Sequence, residues 1–316
     1  MGMAEKIIRT IGHPSRLYVA AAQLGLTNGV SDEEHLKRMY KVLMGRPLDV
    51  DNPKTFNEKL QWLKLHDRNP LYTTLVDKHA VKDWVAEKVG PEYVTPTYAV
   101  WDSAEDIDIE ELPRSFVLKC NHDSGSAVIC RDKETFDLAS ARRSLDAHLK
   151  KSWYWHGREW PYKDVEPLVF AEQYLDPAST GEEADCSGGE VAAAPDVISD
   201  YKFNCFDGEP KFLYVEQWRE DKACVSYFGM DWSPAPFKRL DFAPLPSLPS
   251  RPSCFDEMTQ LARTLSEGIP FVRVDFLVYQ GRPRFSEMTF YPGSGFTPYD
   301  PDEYDRTIGD LLQLPR

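Results

Sequence analysis

An arginine, two carboxylates and a threonine lie near the C-terminus at a spacing that could place them together on one sheet face. The segment begins Arg273-Val-Asp275 and, after a predicted turn at 280–282, returns as Glu287-Met-Thr289. If that turn has three residues, Asp275 lies opposite Glu287 and Arg273 opposite Thr289, because side chains alternate along a strand. A two-residue turn would shift the register by one residue and separate the two acids.

Two carboxylates that face each other across a hairpin repel unless a cation lies between them. Oxygen ligands on a rigid sheet, with Arg273 beside them, suit Mg²⁺ that carries nucleotide phosphates. The alternative is a solvated polar face on which Arg273 neutralises Asp275 and Glu287. The hairpin by itself leaves both interpretations open.

A second candidate is a polar loop between two apolar strands at 116–130. The first strand, FVLKC, includes Lys119, the loop NHDSGS contains a single glycine, and AVIC follows. Backbone N–H groups and serine hydroxyls in such a loop can approach phosphate oxygens while Lys119 supplies charge. The loop is not a Walker A motif, because the chain has no G-x-x-x-x-G-K-[ST], and an ordinary hairpin turn is the alternative. His122 is more simply explained as a hydrogen-bonding loop residue than as a base.

Three further signals are weaker. Lys78 follows Asp77 at a predicted helix start, where a solvated surface lysine is the alternative. Residues 167–176, PLVFAEQYLD, form an apolar strand that runs into polar residues, and it could offer backbone groups to an adenine and a carboxylate to a ribose. An ordinary buried strand would have the same pattern. Lys202 is either a surface charge or a second phosphate contact.

Composition restricts the class of partner. The 316 residues include 37 Lys and Arg against 51 Asp and Glu, a formal net charge of −14. Such a chain is a poor partner for nucleic acid or an anionic membrane, although one basic pocket for a phosphate ligand stays possible. No apolar run approaches the length of a membrane span, and the N-terminus lacks a signal-peptide core. Six scattered cysteines without a C-x-x-C pair predict reduced thiols in the cytoplasm.

The elements that must position these residues change character along the chain. The first 70 residues have helical periodicity, with capping-box patterns at Ser31 with Glu34 and at Thr55 with Glu58. A further helix is expected to end at Gly90. From about residue 93, short β-branched and aromatic runs separated by turn residues predict strands.

Two hairpins and two longer helices complete the prediction. Asp207-Gly208 and the turn at 280–282 are expected to close hairpins, and helices are expected at 135–150 and 255–267. Residues 178–197 are rich in small and acidic residues and predict a mobile loop. The fold class is therefore α+β with mostly antiparallel hairpins.

In this order the motifs resemble those of the ATP-grasp superfamily: an Asp-Lys helix start, a V-x-L-K strand with a Gly/Ser loop, an A-E-Q-Y-L strand, and an R-x-D, E-x-T, P-G-S-G ending. Within the superfamily the chain resembles the TupA-like branch, named for teichuronopeptide biosynthesis. The runs that carry this likeness are 117–125, 157–163, 200–203, 271–276 and 287–295. The resemblance covers about residues 35–316.

The resemblance implies an ATP-grasp fold in which two α+β lobes grip ATP between antiparallel sheets. The expected division is a helical N-terminal region at 1–72 and an ATP-grasp domain at 73–316. Within that domain we expect a first lobe at about 93–165, a linker strand at 167–176, the mobile loop at 178–197 and a second lobe at about 198–316.

The resemblance also implies roles for individual residues. The expected catalytic residues are Arg273 and Lys119, and the expected metal ligands are Asp275, Glu287 and Thr289. The expected ATP-binding residues are Lys78, Lys119, Ser124, Gly125, Ser126, Glu172, Gln173, Tyr174, Leu175, Asp176 and Lys202. Arg158, Lys163, Ser294 and Gly295 are candidate substrate contacts. Thr289 stands where many ATP-grasp ligases have Asn, which leaves the number of magnesium ions open.

The implied activity is that of an ATP- and Mg²⁺-dependent carboxylate–amine ligase acting through an acyl phosphate, in polysaccharide or natural-product biosynthesis. Its partners would be a small carboxylate and a small amine, such as an amino acid, an amino sugar or a uronic acid. Three alternatives stay open: an ATP-grasp kinase, a nucleotide-binding module without turnover, and a sugar-nucleotide glycosyltransferase.

Overall fold

Two antiparallel sheets and the helices around them position the candidate residues. A computed structural model describes residues 16–177, 198–219 and 222–315. The helices are α1 Arg16–Gln23, α2 Asp32–Met44, α3 Phe56–His66, α4 Leu71–Val76, α5 Val81–Val89, α6 Leu138–Leu149, α7 Tyr154–Gly157, α8 Phe255–Leu265 and α9 Glu303–Leu311. The strands are β1 Thr97–Trp101, β2 Phe116–Cys120, β3 Val128–Cys130, β4 Val169–Gln173, β5 Asp200–Phe206, β6 Glu209–Arg219, β7 Lys222–Gly229, β8 Lys238–Arg239, β9 Phe271–Tyr279, β10 Arg282–Thr289 and β11 Tyr299–Asp300. Short 3₁₀ turns lie at Pro91–Tyr93, Lys133–Thr135, Trp160–Asp164 and Pro292–Gly295.

The small sheet has four strands in the order β1-β4-β2-β3, all paired antiparallel. Along β2, Phe116 and Leu118 pack into a core that includes Leu145 of α6. The alternate residues Val117 and Lys119 line a cavity on the opposite face. The period of two along an apolar strand therefore directs Lys119 away from the helix and toward the second sheet.

The large sheet has five strands in the order β10-β9-β5-β6-β7. Its register places five residues side by side, one on each strand: Glu287, Asp275, Lys202, Tyr214 and Tyr227. We call these five residues the polar row. Directly opposite residues share a sheet face, so the row runs across the whole sheet on one side.

The C-terminal hairpin reaches the expected pairing by a different route. Its turn contains two residues, Gln280 and Gly281, both with positive φ, so the expected three-residue turn was wrong. A bulge between Phe285 and Glu287 then shifts the register by one residue. The two departures cancel, and the predicted pairing of Asp275 with Glu287 is confirmed.

The predicted helix caps were partly right. Thr55 and Glu58 form a complete capping box at α3. The box expected at Ser31 and Glu34 was wrong, because the Ser31 side chain makes no cap hydrogen bond and the Glu34 carboxylate instead accepts from Arg38 Nε at 2.6 Å. Gly90 ends α5 with a φ of +117°, as predicted.

The helices of the N-terminal part join the core of the large sheet. Phe56 and Leu60 of α3 belong to the same buried cluster as Phe271 of β9. Gly309 of α9 packs so closely on the chain before α3 that a Cβ there would lie 2.4 Å from the Lys54 carbonyl oxygen. The α+β class is confirmed, whereas the division at residue 72 stays a prediction.

Three further predictions concern the loop at 178–197, the cysteines and the absence of a membrane span. The predicted mobile loop at 178–197 lies outside the described residues, and so does Cys186. The other five cysteines are thiols that form no disulfide within the described part of the chain. In those same ranges, no helix combines the length and apolarity that crossing a membrane requires.

Candidate active site

A cavity of about 450 Å³ lies between the two sheets. The small sheet contributes Lys119, Phe170 and Glu172, and the large sheet contributes Leu277, Phe285 and Glu287. Two lysines near the start of α5, Lys78 and Lys82, also line it. The cavity therefore brings together residues that lie more than 200 positions apart in the chain.

The small-sheet side of the cavity holds two ammonium groups on one carboxylate. Lys82 Nζ lies 2.6 Å from Glu172 Oε2, and Lys119 Nζ contacts Glu172 Oε1. Burial alone would raise the pKa of Glu172, but the two ammonium groups outweigh it and lower the pKa. Glu172 thus stays ionised and fixes the lysines, while this side of the cavity keeps a positive excess.

Lys82 is a site residue that the sequence reasoning missed. Its Nζ also donates to the Thr95 carbonyl oxygen and to Thr97 Oγ1, each at 3.0 Å. It follows Lys78 by four residues, and side chains four apart on a helix start share a face. That spacing was the available signal.

Asn121 fixes the position of Lys78. Its carbonyl oxygen accepts from the Lys78 N–H at 2.9 Å, and its Nδ2 donates to Asp77 Oδ2 at 2.8 Å. Asn121 Oδ1 also accepts from the Leu168 N–H at 2.9 Å. This buried amide therefore ties the segment before α5 to the end of β2 and the approach to β4, and Lys78 Nζ lies 3.1 Å from Glu287 Oε2.

The Gly/Ser loop is stabilised by its own side chains. Ser126 Oγ donates to Asp123 Oδ1 at 2.6 Å and accepts from the Cys120 N–H at 3.0 Å. Asp123 also contacts His148 Nδ1 of α6. Gly125 and Ser126 line the cavity, and the exposed tip of the loop consists of Ser124 and Gly125. A phosphate would therefore meet the tip and the backbone more readily than the engaged Ser126 hydroxyl.

On the large sheet, one guanidinium joins the polar groups of the hairpin. Arg273 donates to Asp275 through Nε at 2.7 Å and Nη2 at 2.6 Å, and Nη2 lies 3.0 Å from Glu287 Oε1. It also donates to Thr289 Oγ1 at 2.9 Å and to the Tyr214 hydroxyl at 2.8 Å. Arg273 therefore lies between Asp275 and Glu287, as the alternative interpretation of a neutralised polar face expected. Asp275 is fully buried, however, so this part of the sheet face is not a solvated surface.

Lys202 lies behind the cavity rather than on its surface. Its Nζ is 2.7 Å from Asp275 Oδ2 and also contacts Asp200. Burial lowers the pKa of Lys202, but the two carboxylates outweigh it and raise the pKa well above its usual value. Lys202 therefore supports Asp275 from behind the cavity, and its expected contact with a phosphate stays a prediction.

The carboxylates of Asp275 and Glu287 supply oxygen atoms, which are the ligands that Mg²⁺ prefers. Glu287 lines the cavity, and although burial would raise its pKa, Lys78, Lys202 and Arg273 lower it, so the group is ionised. Both oxygens of Asp275 already accept from cations. In the described ranges, no group of three or more His, Cys, Asp or Glu could hold a metal by itself. The donors therefore fit a metal that arrives with a phosphate ligand, with Glu287 as the ligand nearest the cavity.

The expected adenine strand borders the same cavity. Gln173, Tyr174 and Leu175 line it, and Asp176 is exposed beyond them. Glu172 lies in the expected strand, but its carboxylate is held by lysines.

The four expected substrate contacts lie in two different parts of the structure. Arg158 is only 1% exposed and its Nη2 donates to the Thr27 carbonyl oxygen at 3.0 Å, so the structure does not bring it to the cavity. Lys163 is exposed and lies over the Tyr154 ring, also away from the cavity. Ser294 and Gly295 follow β10, where Gln61 Nε2 donates to the Gly295 carbonyl oxygen at 2.7 Å.

The sequence profile of the family described as TupA-like ATP-grasp matches residues 58–313. Among curated proteins, none matches the sequence.

Three of the solved structures that the chain matches are ligases of low sequence identity to it. D-alanine–D-alanine ligase from Bacillus anthracis is 16% identical over 69% of this chain and 57% of that chain, with a TM-score of 0.39. The D-Ala-D-Ala ligase from Helicobacter pylori is 13% identical over 83% and 70%, with a TM-score of 0.42. The ATP-grasp ligase PsnB is 11% identical over 74% and 59%, with a TM-score of 0.38. The chain thus spans less than two thirds of the first and the third of these proteins.

Proposed function

The chain belongs to the TupA-like ATP-grasp family, and we propose that it is an ATP-dependent ligase that joins a small carboxylate to an amine through an acyl phosphate. The observation that carries this proposal is the charge arrangement of the cavity. Lys82 and Lys119 lie on Glu172 at the small-sheet side of this space, and Lys78 contacts Glu287 at the large-sheet side. A polyphosphate fits such a cationic surface, and an oxygen-ligated metal fits the carboxylate that faces it.

In the proposed reaction, the acid substrate's carboxylate attacks the γ-phosphate of ATP in line, and ADP leaves. Charge spreads over the transferred group, so fixed cations lower the barrier more than a nucleophilic side chain would. Lys119 and Lys82 would bind the phosphates, and the tip of the loop at Ser124 and Gly125 would cover them. Arg273 would hold Asp275 and Glu287 in place and face the transferred group from the large sheet.

Magnesium would be held by Glu287 and Asp275, and would neutralise phosphate charge when it binds with the nucleotide. Thr289 would contribute through its hydroxyl, which now accepts from Arg273. The acyl phosphate would then be attacked by an amine, with release of inorganic phosphate. We place this reaction in the synthesis of a polysaccharide or natural product in the cytoplasm, with an amino acid, amino sugar or uronic acid among the substrates.

A direct test incubates the protein with Mg-ATP and pooled L-amino acids, glucuronate and glucosamine, and follows ADP and new masses. Release of ADP that requires both an acid and an amine supports the ligase. A phosphorylated product formed from one substrate would instead identify a kinase, and absence of ATP binding would contradict both.

A further inference from the structure

Lys78 is an expected ATP contact, yet its ammonium group lies on a carboxylate of the candidate metal site. Lys78 Nζ is 3.1 Å from Glu287 Oε2, and both side chains line the cavity. Within the described residues, Lys78 Nζ has no other hydrogen-bond or ion-pair partner. In one cavity this ammonium group can therefore serve either the carboxylate of Glu287 or the phosphate of a ligand.

The carboxylate oxygens of both acidic metal-ligand candidates have cationic partners. Asp275 Oδ1 accepts from Arg273 Nε at 2.7 Å, and Asp275 Oδ2 accepts from Arg273 Nη2 at 2.6 Å and Lys202 Nζ at 2.7 Å. On Glu287, Oε1 accepts from Arg273 Nη2 at 3.0 Å and Oε2 contacts Lys78. A metal ion that approaches either acid therefore competes with a cation that already holds it.

The three cations differ in how firmly they are held. Arg273 donates to side chains on three strands, and Lys202 contacts two carboxylates and has only 5% of its side chain exposed. Lys78 has one side-chain partner and 19% of its side chain exposed. Its backbone N–H is fixed by the Asn121 carbonyl oxygen at 2.9 Å, so motion is left to its flexible four-carbon stem. Lys78 is therefore the cation that can leave its acid.

The charge of the incoming ligand decides which partner Lys78 takes. A divalent ion that came alone to Glu287 would lie beside two positive groups, Lys78 and Arg273, and like charges this close repel strongly in a partly buried setting. A triphosphate accepts the ammonium group of Lys78 and brings negative charge of its own. Mg²⁺ is usually held by one or two carboxylates together with the phosphates of the substrate. The nucleotide and the metal thus favour each other at this carboxylate.

We propose that Lys78 keeps free divalent cations off Glu287 and exchanges this carboxylate for a phosphate when the nucleotide binds. Glu287 Oε2 then becomes available to the metal that accompanies the nucleotide. Lys78 is in this way the counter-charge of Glu287 before binding and a phosphate contact after it. This inference rests on the proposed function, because it takes Mg-ATP as the ligand of the cavity.

The test measures binding rather than turnover. Mn²⁺ alone is titrated into the full chain after treatment with a chelator, and the electron paramagnetic resonance signal of the free ion is followed. We expect Lys78→Met to bind Mn²⁺ at least about tenfold more tightly than the unchanged protein, because one repelling charge is gone. The affinity of the same variant for ATP, measured by isothermal titration in EDTA, should fall about 10–100-fold with the loss of a phosphate contact.

Opposite shifts separate an exchange of partners from a structural contact, whose loss would weaken both ligands or neither. Lys119→Met is the matched control, because Lys119 also lines the cavity and contacts one carboxylate, that of Glu172. It should weaken ATP binding and leave the Mn²⁺ affinity unchanged. Adding Glu287→Gln to Lys78→Met should abolish the gain in Mn²⁺ affinity, which would locate the ion at Glu287.

Circular dichroism checks that Lys78→Met is folded. If it is not, Lys78→Gln removes the charge but supplies an amide that can donate to Glu287, and the same opposite shifts are expected.

Equal Mn²⁺ affinity in the unchanged protein and the folded variant would overturn the role of Lys78, and so would an unchanged affinity for ATP. Neither result contradicts the ligase, which is judged by ADP release that requires an acid and an amine. If the unchanged protein does not bind Mg-ATP, the proposed function itself fails, and the exchange at Glu287 fails with it.

Discussion

The two sides of the cavity handle charge in opposite ways. On the small sheet, Lys82 and Lys119 share the single carboxylate of Glu172. On the large sheet, Arg273 and Lys202 are matched by Asp275 and its neighbouring acids. The first side has cationic charge to offer a ligand, and the second is neutralised internally.

This difference shows that a charged residue in the site can serve the ligand or the fold. Lys119 has 29% of its side chain exposed, whereas Arg273 has 9%. Removing a partly exposed cation that has a second cation beside it weakens ligand binding. Removing a buried cation that separates two acids leaves an uncompensated charge inside the protein.

The largest expected effect is on the large sheet. Arg273→Met should lower the free energy of unfolding by about 3–5 kcal/mol, because Asp275 loses its bidentate partner in a buried setting. Urea unfolding followed by circular dichroism measures it. Lys119→Met is the matched comparison, since Glu172 keeps Lys82 as a full partner, whereas without Arg273 the acids Asp200, Asp275 and Glu287 have only Lys202 and Lys78. Equal loss of stability in the two variants would remove the distinction between the two sides.

The next effect concerns the carboxylate that faces the cavity from the neutralised side. Glu287→Gln keeps the shape of the side chain but loses the charge that would hold a metal. We expect turnover to fall by about 10²–10³-fold, as for loss of one preorganised charge-stabilising group, with the fold intact. ADP release with Mg-ATP and the pooled substrates measures it, and Glu209→Gln, at the exposed start of β6, is the control. Normal turnover would show that Glu287 serves only the fold.

A smaller effect is expected on the small sheet. Lys119→Met should weaken ATP binding by about 10–100-fold, the value of one hydrogen bond to a charged group, with little change in stability. Isothermal titration with ATP, in the absence of acid and amine, measures the dissociation constant. An unchanged constant would mean that Lys119 is held by Glu172 for the fold alone.

The smallest expected effect is a pH dependence of the free energy of unfolding, to which one glutamate on each side of the cavity contributes. The pKa values of Glu172 and Glu287 are lowered in the folded state, so the unfolded chain takes up protons first as the pH falls. Their stabilisation is complete above the unfolded pKa of about 4.3 and is lost as the pH falls further. Urea midpoints between pH 5 and 3 should decline, and less steeply in Glu172→Gln. An identical decline in that variant would show that Glu172 contributes nothing to it.

The sequence predicted the elements of the site better than the contacts of its side chains. Short β-branched and aromatic runs at β2 and β9 identified the strands that carry Lys119, Arg273 and Asp275, since the preference of these residues for extended backbone is local. Lys82 and Asn121 were missed. Their roles arise from partners far along the chain, and spacing alone does not show those partners.

The candidate substrate contacts show the same limit. Arg158 and Glu159 are neighbours in one run of sequence, yet the structure buries Arg158 against the carbonyl oxygen of Thr27 and turns Glu159 toward Ser294. Arg158 has a φ of +53°, a reversal of the chain that sends the two side chains to different parts of the molecule. The resemblance suggested that Arg158 and Lys163 could bind the acid substrate, but the sequence did not show that neither of them lines the cavity.

The amino-acid sequence by itself determined the α+β class, the antiparallel hairpins and the family, because these depend on local periodicity and on motifs in a fixed order. Only the tertiary structure decided that Asp275 faces Glu287, since a two-residue turn and a bulge had to cancel. It also decided which cations are free for a ligand. Burial and register determine how many acids surround each cation. In this protein they leave an excess of positive charge on the small sheet and balanced charges on the large one.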